Sequence, residues 1–403
     1  MHIAITGKRL IDGTGSPPIE DAIVLVEGDH IVQVGTTGQV TVPAGAETID
    51  CGDQTLLPGL IDSHTHLHAH VVLKLDLVGS PVQMDTVRAA VRATVNVRQD
   101  LKSGVTTMRA LGDPAGIDFR VRDAIDEGDI PGPRLLVAGS GLRPSHGWGI
   151  EGSPATDGVD QIRAAVRQSI AMGADVIKIF VTNCRQGMSD EAYMKADLTR
   201  IPIYTKEEIQ AAVDEAHRVG AKIAAHALGG PGLRDALEAG VDSIEHANLM
   251  EERDIEVFLR TGGWLSDPNM LLIFDEVGLE NLGWWRFPEW QRKVQFARDN
   301  TRELIPKAVK AGVRFALGTD PCHGFLWKEA KYTVELGIPE IDVLMAITKN
   351  GAELLGIDDR VGTLEPGKLA DVISVDGNPL HDIECLHNIG LVMKGGKRYD
   401  HLL

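Results

Sequence analysis

The sequence predicts an α/β fold, a (β/α)8 barrel of the TIM type with a small β-sandwich domain built from both chain ends. Between residues 56 and 360, amphipathic helices alternate with short apolar strands, which is typical of a parallel sheet covered by helices. Helical stretches repeatedly end in glycine and a strand begins at once, as in IAMG-ADVIKIFV and LEAG-VDSIEHAN, because glycine supplies the left-handed residue that ends a helix. The predicted strands number eight between residues 56 and 320, a span of about 265 residues, close to the ~250 residues of a typical barrel of this kind.

The first and last segments of the chain are rich in short strands. Residues 1–55 contain AIVLVEGDHIVQVG, and residues 361–403 return to that style with GKLADVISVDG. Because chain ends commonly lie close together in a domain, we expect these two segments to form one sandwich beside a barrel of residues 56–360. A doubly wound open sheet is the alternative, but it would normally carry a glycine-rich phosphate-binding turn after an early strand, which this sequence lacks.

Composition narrows the classes of partner. The chain has 403 residues, of which 43% are hydrophobic and 24% charged, as in an ordinary folded protein, and its formal net charge is -18. That charge disfavours nucleic acid and anionic membranes, which need a basic face. The sequence shows neither a bilayer-spanning apolar run nor a signal peptide, and its four separated cysteines indicate neither a disulfide framework nor a thiolate zinc site. We therefore expect a cytoplasmic location.

Four histidines follow the first apolar strand of the predicted barrel, in GLIDSHTHLHAH. Two residues per repeat is the strand period, so His64 and His66 should project from the same face. Two neutral imidazoles side by side suit a metal ion. A histidine-rich surface loop is the alternative interpretation, and we interpret His68 and His70 as residues of the rim.

Polar side chains also interrupt the ends of several other apolar strands, in DVIKIF, IAAHAL, SIEHAN and FALGTD. In a barrel of this type, function gathers at the carboxyl ends of the strands. A single histidine there is usually structural, and an aspartate often only caps a helix. Six metal-competent groups on one rim nevertheless indicate a metal site. They are His64 and His66 on strand 1, Lys178 on strand 4, His226 on strand 5, His246 on strand 6 and Asp320 on strand 8.

Lys178 is the most informative of the six residues. Its neighbours Ile177 and Ile179 should face the helices, so its amine should point into the barrel. A buried unpaired ammonium is costly and must shift its pKa or find partners. One solution is a Schiff-base lysine, as in some lyases. The other is conversion of the amine to an anion by carbon dioxide.

The set HTH…K…H…H…D resembles the amidohydrolase superfamily, in its two-metal form with a carboxylated lysine. The resemblance covers nearly the whole chain and includes LLPGLIDSHTH, GVTTMRALG, GADVIKIF, SIEHAN and VGTLEPGKLADVISVDGNPL. Within that superfamily the chain most resembles the imidazolonepropionase-like branch, which includes Xaa-Pro dipeptidases and carboxypeptidases acting on small N-acyl amino acids. The resemblance implies a metal-dependent hydrolase that cleaves a carbon–nitrogen amide bond of a small molecule such as an Xaa-Pro dipeptide or N-acyl amino acid.

The resemblance also implies a role for each rim residue. Carboxylated Lys178 and a hydroxide would bridge two divalent ions, since anionic bridges offset the repulsion between dications and shared metal binding makes hydroxide available at neutral pH. Asp320 would take the proton of the hydroxide and pass it to the leaving nitrogen, which leaves poorly unless protonated. Nitrogen and oxygen ligands favour zinc, although other divalent ions fit. The implied ligands are His64, His66 and Asp320 for one ion, and His226 and His246 for the other.

Substrate contacts are predicted on the loops. His146, in GLRPSHGWG, matches a histidine of the branch that polarises the substrate carbonyl, although the usual GGHG pattern is altered here. Tyr204 resembles a residue that contacts the substrate carboxylate, with a half-buried loop tyrosine as the alternative. His323 lies just past Asp320 and is expected to reach the substrate. The aromatic segment 282–290, LGWWRFPEW, is interpreted as an apolar lid, with packing on its own helix as the alternative. Arg109 is interpreted as structural, because Ala110 stands where the branch has an acid.

Several alternatives stay open at this point. A cyclic-amide hydrolase of the imidazolonepropionase type, or a ring deaminase, would use the same scaffold, although deaminases usually hold one metal and lack the strand-4 lysine. A Schiff-base lyase using Lys178 would need no metal. A non-catalytic binding protein could keep the fold, but such relatives usually lose ligands. The predicted partner is a small amide substrate, and a homo-oligomer also remains open.

Overall fold

In a computed structural model of the chain, residues 2–69, 85–150, 153–184, 199–275, 278–281 and 283–402 are described. These residues form an antiparallel-rich sheet from both chain ends and a set of parallel strands with helices between them. The strands are β1 (His2–Leu10), β2 (Ile19–Glu27), β3 (His30–Thr36), β4 (Glu47–Asp50), β5 (Thr55–Pro58), β6 (Leu60–Thr65), β7 (Val105–Ala110), β8 (Arg134–Val137), β9 (Val176–Phe180), β10 (Lys222–Ala227), β11 (Ser243–His246), β12 (Trp264–Ser266), β13 (Phe315–Ala316), β14 (Val372–Val375), β15 (Ile389–Lys394) and β16 (Lys397–Arg398).

The sheet from the chain ends has the order β16-β15-β14-β5-β1-β2-β3, with β4 also paired to β1. The two ends meet where β5 runs antiparallel to β14, with Leu57 opposite Ile373. Alternate residues of β1 and β2 face opposite sides, so that Ile5 and Val24 join one buried cluster while Ala4 joins another. The strand β5 spans the predicted domain boundary at residue 55.

The parallel strands form two sheets, β6-β7-β8 and β9-β10-β11-β12-β13. Backbone hydrogen bonds join these sheets at both edges: the N–H of Leu142, after β8, donates to the carbonyl of Lys178 at 2.7 Å, and the N–H of Asp320, after β13, donates to the carbonyl of His64 at 2.9 Å. Both seams are parallel bridges. The carboxyl ends of all eight strands therefore lie on one side.

Helices cover these strands and end where the glycine pattern predicts. Gly240 and Gly312 follow two of the helices with φ of 92° and 98°, values that favour glycine. The helices are α1 (Thr86–Lys102), α2 (Ile117–Asp126), α3 (Val159–Ala171), α4 (Lys206–His217), α5 (Gly230–Ala239), α6 (Glu252–Thr261), α7 (Met270–Phe274), α8 (Pro288–Ala311), α9 (Leu326–Glu335), α10 (Glu340–Ala346) and α11 (Lys349–Leu355). Within the described residues, none of these helices is long and apolar enough to cross a bilayer.

Candidate metal centre

The strand ends bring the predicted histidines together. The ring centroids of His64 and His66 lie 5.3 Å apart, those of His64 and His246 5.0 Å, and those of His226 and His246 4.8 Å. The Nε2 atom of His66 lies 3.4 Å from Oδ1 of Asp320. All of these side chains are buried or nearly so. Chain segments far apart in sequence thus converge on one site, as the rim pattern predicts.

Lys178 projects into the same site. Its side chain is fully buried, and its Nζ has no hydrogen-bond partner among the described residues. Nζ and the ring of His226 both approach the ring of Phe180, at 5.3 and 5.4 Å from its centroid. Burial lowers the pKa of Lys178 to about 8, although the carboxylates of Glu245 and Asp320 oppose that shift. Burial thus makes the neutral amine more accessible at Lys178 than at an exposed lysine.

Strained backbone aims several of these side chains. His246 has φ of 80° and Asp320 has φ of 50°, both in the left-handed region that residues other than glycine rarely adopt. A glycine is required beside them: a Cβ on Gly318 would lie 2.7 Å from the Cβ of His64. The residues of GTD at the end of β13 thus combine a close approach to β6 with a turn that directs the carboxylate of Asp320.

The hydrogen-bond partners of His64 and His66 fix the orientation of their rings. Nδ1 of His64 lies 2.9 Å from Oε2 of Glu245, and Nδ1 of His66 lies 2.6 Å from the carbonyl oxygen of Gly112. Both partners are acceptors, which assigns the proton to Nδ1 in each ring. Each Nε2 then carries the lone pair, the arrangement typical of metal-binding histidines.

Electrostatics favour neutral imidazoles at this site. Burial lowers the pKa of His64, His66, His226 and His246, to about 4 in the case of His246, and the charge of Lys178 adds to the effect. Neutral imidazole is the form that binds a metal. At neutral pH the four rings are therefore ready to act as ligands without first losing a proton.

Two buried carboxylates of the site are not among the residues predicted from sequence. Asp267, after β12, places Oδ2 3.3 Å from Nδ1 of His64 and 3.4 Å from Nδ1 of His246, and burial raises its pKa well above the usual range. Ligand atoms of His64, His246, Asp267 and Asp320 lie within 4.8 Å of one another. The motif WLSDPN places an acid after strand 7, as FALGTD does after strand 8, and that signal would have identified Asp267.

Glu245 is the second unpredicted carboxylate. It is fully buried in β11 and contacts both His64 and the guanidinium of Arg109. Burial alone would raise the pKa of Glu245, but Arg109, together with His64, holds that pKa well below its usual range. The glutamate is therefore a buried anion beneath the histidines.

The donor set fits divalent metal ions. Among the described residues, Nε2 of His64, Nζ of Lys178, Nε2 of His226 and Oδ2 of Asp267 are buried without a hydrogen-bond partner. Buried polar atoms without partners are costly and call for an explanation. Imidazole nitrogens and carboxylate oxygens facing one small volume are typical of a metal site, and bound ions would satisfy the unpartnered atoms.

The predicted substrate contacts lie in different surroundings. His146 is exposed on the loop after β8, where its carbonyl accepts a bond from the thiol of Cys184. Tyr204 is buried, and its hydroxyl donates to the carbonyl of Thr156 at 3.0 Å. The side chain of His146 is therefore accessible to a substrate, whereas the hydroxyl of Tyr204 is engaged in a hydrogen bond with Thr156.

His323 is fully buried rather than open to a substrate. Its Nδ1 lies 2.7 Å from Oδ2 of Asp100 in α1, and its Nε2 lies 3.1 Å from the carbonyl oxygen of His66. Both ring nitrogens are therefore engaged with the protein. His68 is predicted as a rim residue, and its Nδ1 lies 2.6 Å from Oδ1 of Asp113. His70, the other predicted rim residue, lies outside the described residues.

The aromatic segment packs on the helix that follows it. A 3-10 turn at Gly283–Arg286 leads into α8, and the buried Trp284 lies edge-on to Trp290 with ring centroids 5.1 Å apart. Leu282, the first residue of the predicted lid, lies outside the described residues. The contact between the two tryptophans agrees with the alternative interpretation, packing on their own helix, and a lid stays a prediction.

Comparison with known proteins identifies the family. Residues 55–399 match the model of the Amidohydrolase family, so the chain belongs to that family, as the resemblance in its motifs predicts. It is a hydrolase that acts on carbon–nitrogen amide bonds. Family members and their structural neighbours imply a (β/α)8 barrel, and the α/β architecture described above agrees with it.

Individual relatives cover nearly the whole chain. Ochratoxinase of Aspergillus niger is 28% identical over 97% of this chain and 85% of its own length. Imidazolonepropionase of Salinispora tropica is 26% identical over 90% of this chain and 87% of its own. The crystal structure of an Xaa-Pro dipeptidase with methionine in its active site is 31% identical, with a TM-score of 0.86 over 99% of this chain and all of that one (100%).

Proposed function

We propose that this protein is a dinuclear metal hydrolase, most favourably loaded with zinc, which cleaves dipeptides or N-acyl amino acids in preference to cyclic amides. The observation that carries the proposal is the convergence of histidines, an acid and Lys178 on one side of the parallel strands, where Nζ of Lys178 has no hydrogen-bond partner among the described residues. The similarity to an Xaa-Pro dipeptidase over the full chain supports a linear amide substrate. The similarity to imidazolonepropionase keeps the cyclic amide as the second candidate.

Two ligand sets would hold the ions. Lys178 would be shared by the two sets once it is carboxylated. Its neutral amine attacks carbon dioxide, forms an N–C bond and releases one proton, and the resulting carbamate anion has two oxygen atoms that can act as ligands. A pKa of about 8 supplies the neutral amine that this reaction needs. The proposed ligands are His64, His66 and Asp320 in one set, His226 and His246 in the other, and carboxylated Lys178 shared by both.

The side chains of the site would divide the remaining tasks. Divalent ions bound here lower the pKa of water and polarise an amide carbonyl group. Asp320, on its strained turn at the rim, accepts a proton on its carboxylate and donates it to the leaving nitrogen of the amide. His146, exposed on the loop after β8, is placed to donate a hydrogen bond to the substrate carbonyl oxygen. Tyr204 and His323 keep the structural contacts described above.

The scaffold of this site is proposed to be a closed barrel. The eight parallel strands would form a (β/α)8 barrel over residues 56–360, and residues 1–55 and 361–403 would fold as the small β-sandwich. Hydrogen bonds at the seams near Leu142 and Asp320 support closure. Separate buried clusters in the end sheet support its treatment as a domain of its own.

A hydrolysis screen tests the proposal. The zinc-loaded protein is incubated with Xaa-Pro and other dipeptides, N-acyl amino acids and lactams, and released amine is measured. Lys178→Met is compared with Lys394→Met, because Lys394 is a second largely buried lysine whose pKa burial lowers to about 8 and which lies in β15, in the end sheet. We expect Lys394→Met to remain active and Lys178→Met to lose most activity.

Two results would overturn the proposal. Equal activity of the two variants would remove Lys178 from the site. Activity that survives chelation and is lost on treatment with borohydride and substrate would assign a Schiff base to Lys178 instead of a carbamate.

A further inference from the structure

A buried line of side chains connects Arg109 to the first metal-binding histidine. Arg109 crosses the interior from β7, where its exposed fraction is 2%, and its Nη2 donates to Oε1 of Glu245 at 2.9 Å. The other carboxylate oxygen, Oε2, lies 2.9 Å from Nδ1 of His64. Glu245 and His64 are both fully buried. Each contact is thus shielded from water.

Arg109 is itself held rigidly by several strands. Its Nε donates to the carbonyl of Ser63 at 2.6 Å, its Nη1 to the hydroxyl of Ser243 at 3.1 Å, and its Nη2 also to the hydroxyl of Ser266 at 3.2 Å. The hydroxyl of Ser243 adds a second bond to Oε1 of Glu245. One oxygen of the glutamate is thereby saturated, and the other is left at a fixed position facing His64.

We propose that Arg109 and Glu245 are positioning residues, which hold the proton of His64 on Nδ1 and thereby turn the lone pair of Nε2 toward the metal. Nε2 of His64 is buried and has no hydrogen-bond partner among the described residues, as this arrangement requires. Carboxylates that accept the second ring proton of a ligating histidine fix its tautomer and raise its basicity. The inference rests on the proposed function in one respect, that His64 binds metal.

Arginine suits this role because its guanidinium supplies a permanent positive charge and several donors at fixed positions. One of these donors binds Oε1 of Glu245, which leaves Oε2 directed at Nδ1 of His64. Asp267 is the farther carboxylate, with Oδ2 3.3 Å from the same Nδ1, and carries no comparable arginine contact among the described residues.

Glu245→Gln provides the test. We expect zinc affinity, measured by competition with a chromophoric chelator, to fall by about 10–100-fold, the usual effect of losing such a contact. In metal-free protein labelled with ¹⁵N-histidine, the His64 signal, assigned by its loss in His64→Gln, should shift away from the Nδ1–H tautomer. Arg109→Lys keeps the charge but not the fork of donors, so it should weaken zinc binding in the same direction. The loss in the double variant should be smaller than the sum of the two single losses.

Asp254→Asn is the matched control for lost stability. Asp254 is a fully buried carboxylate paired with Arg234 at 2.8 Å, on helices away from the histidines. The Asp254→Asn substitution should lower the unfolding midpoint as Glu245→Gln does, but it should leave the zinc affinity unchanged. Equal losses of affinity in both variants, or affinity within about threefold of wild type in Glu245→Gln with the proton still on Nδ1, would overturn the inference. A wild-type protein that binds no metal would overturn the proposed function instead, while the tautomer measurement would still decide the role of Glu245.

Discussion

Replacing Lys178 with methionine should stabilise the metal-free protein while it removes metal binding. Methionine has a similar length and no charge, so it fills the same buried volume without an ammonium group that lacks a hydrogen-bond partner among the described residues. The perturbation therefore separates what the lysine contributes to the site from what it costs the fold. A residue retained only for packing would show the opposite effect.

The pKa of Lys178 determines how much stability the metal-free Lys178→Met protein should gain. It falls from its usual value of 10.5 to about 8, mainly because of burial. Since each unit of pKa corresponds to about 1.4 kcal/mol, keeping this ammonium in the folded, metal-free protein costs about 3 kcal/mol at neutral pH. Between pH 8 and pH 10.5 the Lys178 amine binds more protons in the unfolded chain than in the folded one, so the contribution of this residue to the stability of the wild type becomes more favourable as the pH rises. The advantage of Lys178→Met should therefore be full below about pH 8 and should fade toward pH 10.5.

Urea unfolding at several pH values measures this difference. The proteins are treated with a chelator and kept in buffer free of carbon dioxide, which prevents carboxylation of the wild-type lysine. Zinc and bicarbonate are then added in a second series, where the wild type and Lys394→Met should gain stability and Lys178→Met should not. A metal-free Lys178→Met protein that is no more stable than the wild type at pH 7, or a difference in stability that stays constant up to pH 10, would show that the buried ammonium of Lys178 does not cost the fold this free energy.

Three further outcomes are expected at the site. Asp320→Asn should keep most of its metal but lose about 10²–10⁴-fold in rate, because an amide cannot accept the proton; a variant with metals bound and at least about a tenth of the wild-type rate would make Asp320 a ligand only. Metal analysis of the undepleted protein should give close to two divalent ions per chain, and one ion with no gain on adding zinc would contradict a dinuclear site. Tyr204→Phe should lower the unfolding midpoint, since the hydroxyl bonds Thr156, and leave KM nearly unchanged; a large rise in KM would restore the predicted contact with substrate.

The sequence was sufficient to place the histidines and Lys178, because a polar residue inside an apolar strand is a local signal. Glu245 was missed for a definite reason. Adjacent strand residues should face opposite sides, so assigning His246 to the site excludes Glu245. The left-handed φ of His246 breaks that alternation and lets both side chains reach the site. Asp267 also has a positive φ, and its motif resembles a turn, so the sequence did not identify it as a residue of the site.

Long-range partners could not be inferred from the sequence. His323 contacts Asp100, which lies more than two hundred residues earlier, and the sequence around neither residue indicates that contact. The hydroxyl of Tyr204 meets Thr156 through the packing of two loops. A polar residue on a loop can bind substrate or stabilise the fold, and the local sequence is compatible with both roles. Only its hydrogen-bond partner in the structure distinguishes the two.

The pairing of β5 with β14 has a consequence for how the protein is made. β5 leads directly into β6, the strand that carries His64. β1 pairs with one edge of β5, but β14, its partner at the other edge, is synthesised more than three hundred residues later. Closing so long a loop is entropically costly and slow, so this pairing must come late in folding. While the chain is still on the ribosome, β5 can pair with β1 but lacks its second neighbour. A chain that terminates before β14 would therefore leave one edge of β5, a fully buried strand next to β6 and His64, without a partner.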